Sequence, residues 1–124
     1  MIFNEGDHHK PRIKFDKETG TLSVTGSSYP ENAEKVYFPV LDWLNEFNFE
    51  QTTKMVLHIS LKYYNTATSK KLFEIIKKYN QAWKNGQKAE IRWEYMSDDE
   101  DMFESGRYYS ELVEVPFHFI EIPD

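Results

Sequence analysis

At 124 residues, 16% of them aromatic, the chain is long enough to bury one core without cross-links and too aromatic for a disordered segment. Its net charge of −6, from 15 basic and 21 acidic side chains, argues against a general nucleic-acid binder. The lack of cysteine excludes disulfides and thiolate metal sites, and no apolar run approaches the length of a membrane span.

Residues 1–10 are polar and unpatterned, without the basic and apolar regions of a signal peptide. They are expected to form a mobile tail, with one domain over 11–124 and a cytoplasmic location. Ile13 and Phe15, then Leu22 and Val24, alternate with polar residues around a Gly20 loop, which predicts a hairpin. Ser27-Ser28-Tyr29-Pro30-Glu31-Asn32 reads as the start of a helix, with proline near its first position. Ala33, Val36 or Tyr37, Val40, Leu41 and Leu44 mark that helix's apolar face, and Pro39 should bend or split it. Phe47 and Phe49 follow as cover for the core or a sheet edge.

The period-two pattern over 55–63 predicts a central strand, and the period of 3.6 over Thr66–Lys84 a helix ended by Asn85-Gly86. Ala89, Ile91, Trp93 and Tyr95 form another strand. The acidic Asp98-Asp99-Glu100-Asp101 precedes a shorter helix carrying Met102, Phe103 and Tyr109, and Phe117, Phe119 and Ile122 form a last strand. The order β-β-α-β-α-β-α-β predicts an α/β fold, with an N-terminal hairpin, a central mixed sheet and helices packed on it.

The strand-to-helix turn Tyr63-Tyr64-Asn65-Thr66-Ala67-Thr68-Ser69-Lys70 carries the most chemistry. It puts the hydroxyls of Thr66, Thr68 and Ser69 near a helix's free N–H groups and positive dipole end, beside Lys70. Asn65 or Thr66 would serve as the N-cap, and a phosphate added there would be tolerated and stabilised.

Several segments, in order and spacing, resemble the SiaC family of bacterial regulatory phosphoproteins. They are Ser28-Tyr29-Pro30-Glu31-Asn32, Leu41-Asp42-Trp43-Leu44, Tyr64-Asn65-Thr66, Ser69-Lys70, Ile91-Arg92-Trp93-Glu94-Tyr95, the acidic run from Asp98 to Gly106, and Pro116-Phe117. The resemblance implies a single STAS-like (SpoIIAA-like) domain with no catalysis of its own and no cofactor. It also implies that Thr66 is phosphorylated by a dedicated protein kinase and cleared by a PP2C-type phosphatase, with Thr68 and Ser69 as alternate sites. The unphosphorylated form would bind and regulate a partner, a diguanylate cyclase in cyclic-di-GMP and biofilm signalling, through Tyr64, Asn65, Thr66, Ser69 and Lys70. Ala67-Thr68 departs from the serines frequent in the family after the threonine.

Two other readings compete. One keeps the fold and switch but acts on an anti-sigma kinase, as an anti-sigma-factor antagonist. The other is a small metal-dependent hydrolase built on the acidic block and a histidine, His58 or His118. The block lacks the glycine and alternating spacing of a calcium loop, and carboxylates at a helix start are favoured without any metal. Strand histidines are usually structural, so neither reading displaces the first.

Overall fold

The alternating segments pair into one six-stranded sheet in the computed structural model, which describes residues 1–47 and 54–123. In chain order the elements are β1 (Ile2–Glu5), β2 (Arg12–Asp16), β3 (Thr21–Ser28), α1 (Ala33–Glu46), β4 (Met55–Tyr64), α2 (Thr66–Lys84), β5 (Ala89–Met96), α3 (Glu100–Glu111) and β6 (Phe117–Ile122). The spatial order is the same as the chain order, antiparallel from β1 to β3 and parallel from β3 to β6. Successive right-handed crossovers that step in one direction put their helices on one face of a sheet. The register agrees. One row of Phe15, Leu22, Leu57, Ile91 and Phe117 crosses the sheet on the core side. The adjacent row, Lys14, Ser23, His58, Arg92 and His118, is polar.

The expectation for the first ten residues is corrected. Ile2–Glu5 is an edge strand on β2, and the Met1 amino group and carbonyl both bond to the Phe15 backbone. Phe3 anchors it, with its ring 5.3 Å from Trp43, which also packs on Phe15 and Phe47. A four-residue strand with a register shift is too short for alternation to reveal it. Asp7 then turns the chain by accepting bonds from the His9 and Lys10 amides, which hold its carboxyl below the usual range.

Two details of α1 also differ. Ser27 and Ser28 belong to β3, and the cap is Asn32, whose side chain accepts from the Lys35 N–H at 3.1 Å, so Pro30 precedes the cap. Pro39 does not split the helix. It lies on the exposed side, where water can serve the carbonyl it deprives. The 55–63 strand is central, between β3 and β5, and α2 begins and ends as the sequence predicts. Phe49 lies outside the described residues. No helix among those described is long and apolar enough to cross a membrane.

Glu90 of β5 is a nearly buried carboxylate, hydrogen-bonded by Lys54 and by Arg92 at 3.0 Å. Burial alone would raise its carboxyl; the Lys54 and Arg92 bonds outweigh that and hold it below the usual range. Its folded value lies under its unfolded one, so it stabilises the fold above the unfolded value, and the contribution fades as pH falls through the folded one. A Glu90→Gln variant should therefore lose less melting temperature than the parent between roughly pH 5 and pH 2. Thermal melts across that range check it.

Candidate functional site

Where β4 runs into α2, the period changes and the backbone must turn from extended to helical. Asn65 makes the turn as N-cap: it is extended (φ −91°, ψ 175°) and its Oδ1 accepts from the Thr68 N–H at 2.9 Å. Thr66 is therefore the first helical residue and not a cap. An Asn65→Ala variant should lose about 1 kcal/mol of stability. Urea melts of the two proteins measure it.

The three hydroxyls of this turn have three different fates. Thr68 is wholly buried: its Oγ1 lies 2.8 Å from Ser28 Oγ and donates to the Ser28 carbonyl at 3.0 Å. Ser69 is half-buried, and its hydroxyl donates to the Thr66 carbonyl at 2.6 Å. Thr66 is exposed and its hydroxyl makes no hydrogen bond among the described residues. Of these three, Thr66 alone offers an unengaged hydroxyl to another molecule.

All five sequence-predicted binding residues, Tyr64, Asn65, Thr66, Ser69 and Lys70, come together on one side of a cleft of about 680 Å³ between α2 and α3. The Tyr109 hydroxyl ties the two helices by donating to the Ser69 carbonyl at 2.8 Å, and burial foremost raises its pKa. The opposite wall was not among the predicted binding residues, although its acidic part lies in the run from Asp98 to Gly106 that the sequence singled out. Asp101, Glu104, Ser105 and Tyr108 of α3 and its C-cap Leu112 line it, spaced at i, i+3, i+4, i+7 and i+11, a helical stripe that could have been found. Tyr108 and Leu112 are 64% and 49% exposed, large apolar groups without cover. Lys70 is exposed and has no ion pair among the described residues, whereas neighbouring Lys71 is held by Glu34 and Glu74.

The rival constellations look different. In the acidic block, Asp99 is the N-cap of α3, accepting from the Met102 N–H at 3.0 Å, and Glu100 and Asp101 lie in its first turn. Among the described residues no three His, Cys, Asp or Glu side chains gather as metal ligands would. His58 Nε2 meets Glu94 at 2.9 Å, and Glu94 also accepts from Ser60. The carboxylate thus stands between the hydroxyl and the imidazole, whereas a nucleophilic triad needs the imidazole in the middle. His118 lies 3.7 Å from Glu90 and serves the ion-pair cluster described above.

Fold and site together define a small α/β domain with a helix-backed sheet and an accessible hydroxyl at a helix start, at the mouth of a part-apolar cleft. Residues 4–122 match the family described as SiaC family regulatory phosphoprotein, and the chain belongs to that family. An uncharacterized protein of Pseudomonas aeruginosa is 30% identical over 112 residues, 90% of this chain and 89% of that protein. A chain in the crystal structure of the diguanylate cyclase SiaD with its activator SiaC, from Pseudomonas aeruginosa, superposes with a TM-score of 0.89. It is 28% identical, over 98% of this chain and 99% of that one. Apo-SiaC from the same organism superposes with a TM-score of 0.83 at 29% identity, over 94% of this chain and 95% of that one.

Proposed function

We propose that this chain is a non-enzymatic signalling adaptor that binds and regulates a diguanylate cyclase when unphosphorylated and is switched by phosphorylation of Thr66. A dedicated kinase adds the phosphate and a PP2C-type phosphatase removes it. The observation that carries this reading is that Thr66, alone of Thr66, Thr68 and Ser69, is exposed with an unengaged hydroxyl, and stands at the mouth of the α2/α3 cleft. Whole-length similarity to a chain from a complex of SiaC with the cyclase SiaD supports the partner's class.

The switch follows from charge. The cleft joins an apolar floor, which includes Phe73 and Tyr109, to Lys70 on one lip and Asp101 and Glu104 on the other. A partner segment laid on it buries that apolar surface and covers the Thr66 hydroxyl at little cost. Phosphate adds about −1.5 to −2 charges there. The α2 N-terminus and Lys70 stabilise the free phosphoprotein, while a docked partner would have to strip water from a dianion that faces two carboxylates. Phosphorylation therefore favours the unbound state without refolding the domain.

Titrating a purified diguanylate cyclase with unmodified and Thr66-phosphorylated protein tests the reading. The unmodified form should bind and change cyclase turnover, and the phosphorylated form should do neither. Equal binding by both forms, or by neither, would overturn it.

A further inference from the structure

Thr68 resembles a phosphoacceptor in sequence but occupies a different position in space. Its hydroxyl belongs to a buried cluster that joins three elements: Tyr37 of α1, Ser28 at the end of β3 and Thr68 in the first turn of α2. Tyr37 OH and Ser28 Oγ are 2.8 Å apart, as are Ser28 Oγ and Thr68 Oγ1. Each hydroxyl has one proton to give. The Thr68 proton goes to the Ser28 carbonyl, so Ser28 must donate to Thr68, and Tyr37 must then donate to Ser28. These proton positions follow from the bond inventory and leave every hydroxyl satisfied. Burial pushes the Tyr37 phenol up to about 12, against the opposing bonds of Ser28 and Thr68, so it keeps the proton this chain requires.

The Ser28 carbonyl receives a second donor, the Asn65 N–H at 3.0 Å. Thr68 in turn gives its own N–H to the Asn65 side chain. Thr66 is thereby framed between two residues, Asn65 and Thr68, that are both anchored to the same carbonyl of the neighbouring strand. First turns of helices fray because their N–H groups lack intrahelical partners. Here the fraying turn is bolted to β3, and the bolt is the Thr68 hydroxyl.

We propose that Thr68 is the positioning residue of the switch: its buried hydroxyl clamps the first turn of α2 to Ser28 and so holds the Thr66 hydroxyl in one presentation for the modifying kinase. This rests on the reading of Thr66 as the phosphoacceptor and adds to it the reason that a helix start can serve as a substrate. A phosphoacceptor carried on a folded turn must be held in attack geometry by that turn, and small misplacements are costly in rate.

Four proteins decide the matter: the parent, Thr68→Val, which keeps the shape and loses the hydroxyl, Thr68→Ser, which keeps the hydroxyl, and Tyr37→Phe. The last removes only the far donor and serves as a control for lost stability. Two measurements are made below the melting point of each: the rate of Thr66 phosphorylation by the cognate kinase, and amide hydrogen exchange at Asn65 and Thr68. Thr68→Val should slow phosphorylation about tenfold and speed exchange at both amides by about tenfold. Thr68→Ser and Tyr37→Phe should stay within about twofold of the parent in both. Unchanged exchange or an unchanged rate in Thr68→Val overturns the proposal, as does an equal loss in Tyr37→Phe, which would mean general destabilisation. If the parent itself takes no phosphate on Thr66, the phosphoacceptor reading fails and positioning for the kinase fails with it, while the exchange data still decide whether the clamp exists. Should Thr68→Val not fold, Thr68→Ala, which also removes the hydroxyl that donates to the Ser28 carbonyl, takes its place with the same expectations.

Discussion

A Thr66→Ala protein should take no phosphate from the cognate kinase and should still bind its partner. Thr66 is the first residue of α2, exposed, with a side chain that neither caps the helix nor hydrogen-bonds within the described residues. Its replacement by alanine, the best helix former, should leave stability within about 0.5 kcal/mol of the parent. Thr66→Asp should weaken partner binding, though by less than phosphate does, because one carboxylate supplies half the charge and fewer acceptor oxygens. Intact-mass and peptide mass spectrometry after incubation with the kinase reads the first result, and a binding titration reads the second. Phosphate found on Ser69 with Thr66 unmodified would move the switch by one turn of helix. Phosphate on Thr68 would require breaking its bonds to both the hydroxyl and the carbonyl of Ser28, inside a fully buried site. That outcome would contradict the structure of the turn.

The second large effect is expected at Gly106, in the middle of α3. A Cβ placed there would sit 2.6 Å from the Trp93 ring. The ring cannot yield easily: Trp93 is fully buried, its indole N–H donates to the Met102 carbonyl at 3.0 Å, and Tyr109 and Phe117 pack against it. Alanine normally stabilises a helix interior relative to glycine. Here overpacking should win, and Gly106→Ala should destabilise by about 1–3 kcal/mol. Since α3 carries Asp101, Glu104 and Tyr108 and is capped by Leu112, any outward shift also widens the proposed docking cleft. Partner affinity should therefore fall even where the protein stays folded. Denaturant melts and a binding titration check both parts; a variant as stable as the parent would mean that Trp93 can move, against the packing described.

Most elements were legible because their causes are local. The change of apolar period across Asn65 placed the start of α2 to the residue, and the Asn85-Gly86 pair placed its end. The resemblance around Tyr64-Asn65-Thr66 singled out residues that the fold gathers along one side of the cleft. What failed was short or indirect: a four-residue edge strand held by Phe3 and Met1, and a proline whose effect depended on which side of α1 it faced.

Residue periods and caps act over a few neighbours, so the order of residues was enough to specify an α/β chain with a capped, hydroxyl-rich turn between its best strand and its best helix. Residue type and period do not separate Thr66, Thr68 and Ser69, and only the resemblance put Thr66 first. The tertiary structure separates them by burial and hydrogen bonding. Ser28, 40 residues away in sequence, reaches Thr68 because β3 and β4 lie side by side, and so buries one hydroxyl while leaving Thr66 free. The second wall of the cleft came from the fold in the same way, because a helical stripe on α3 faces a cleft only when the β5–α3–β6 crossover sets it against α2. Burial and adjacency are properties of the packed chain, and no local pattern encodes them.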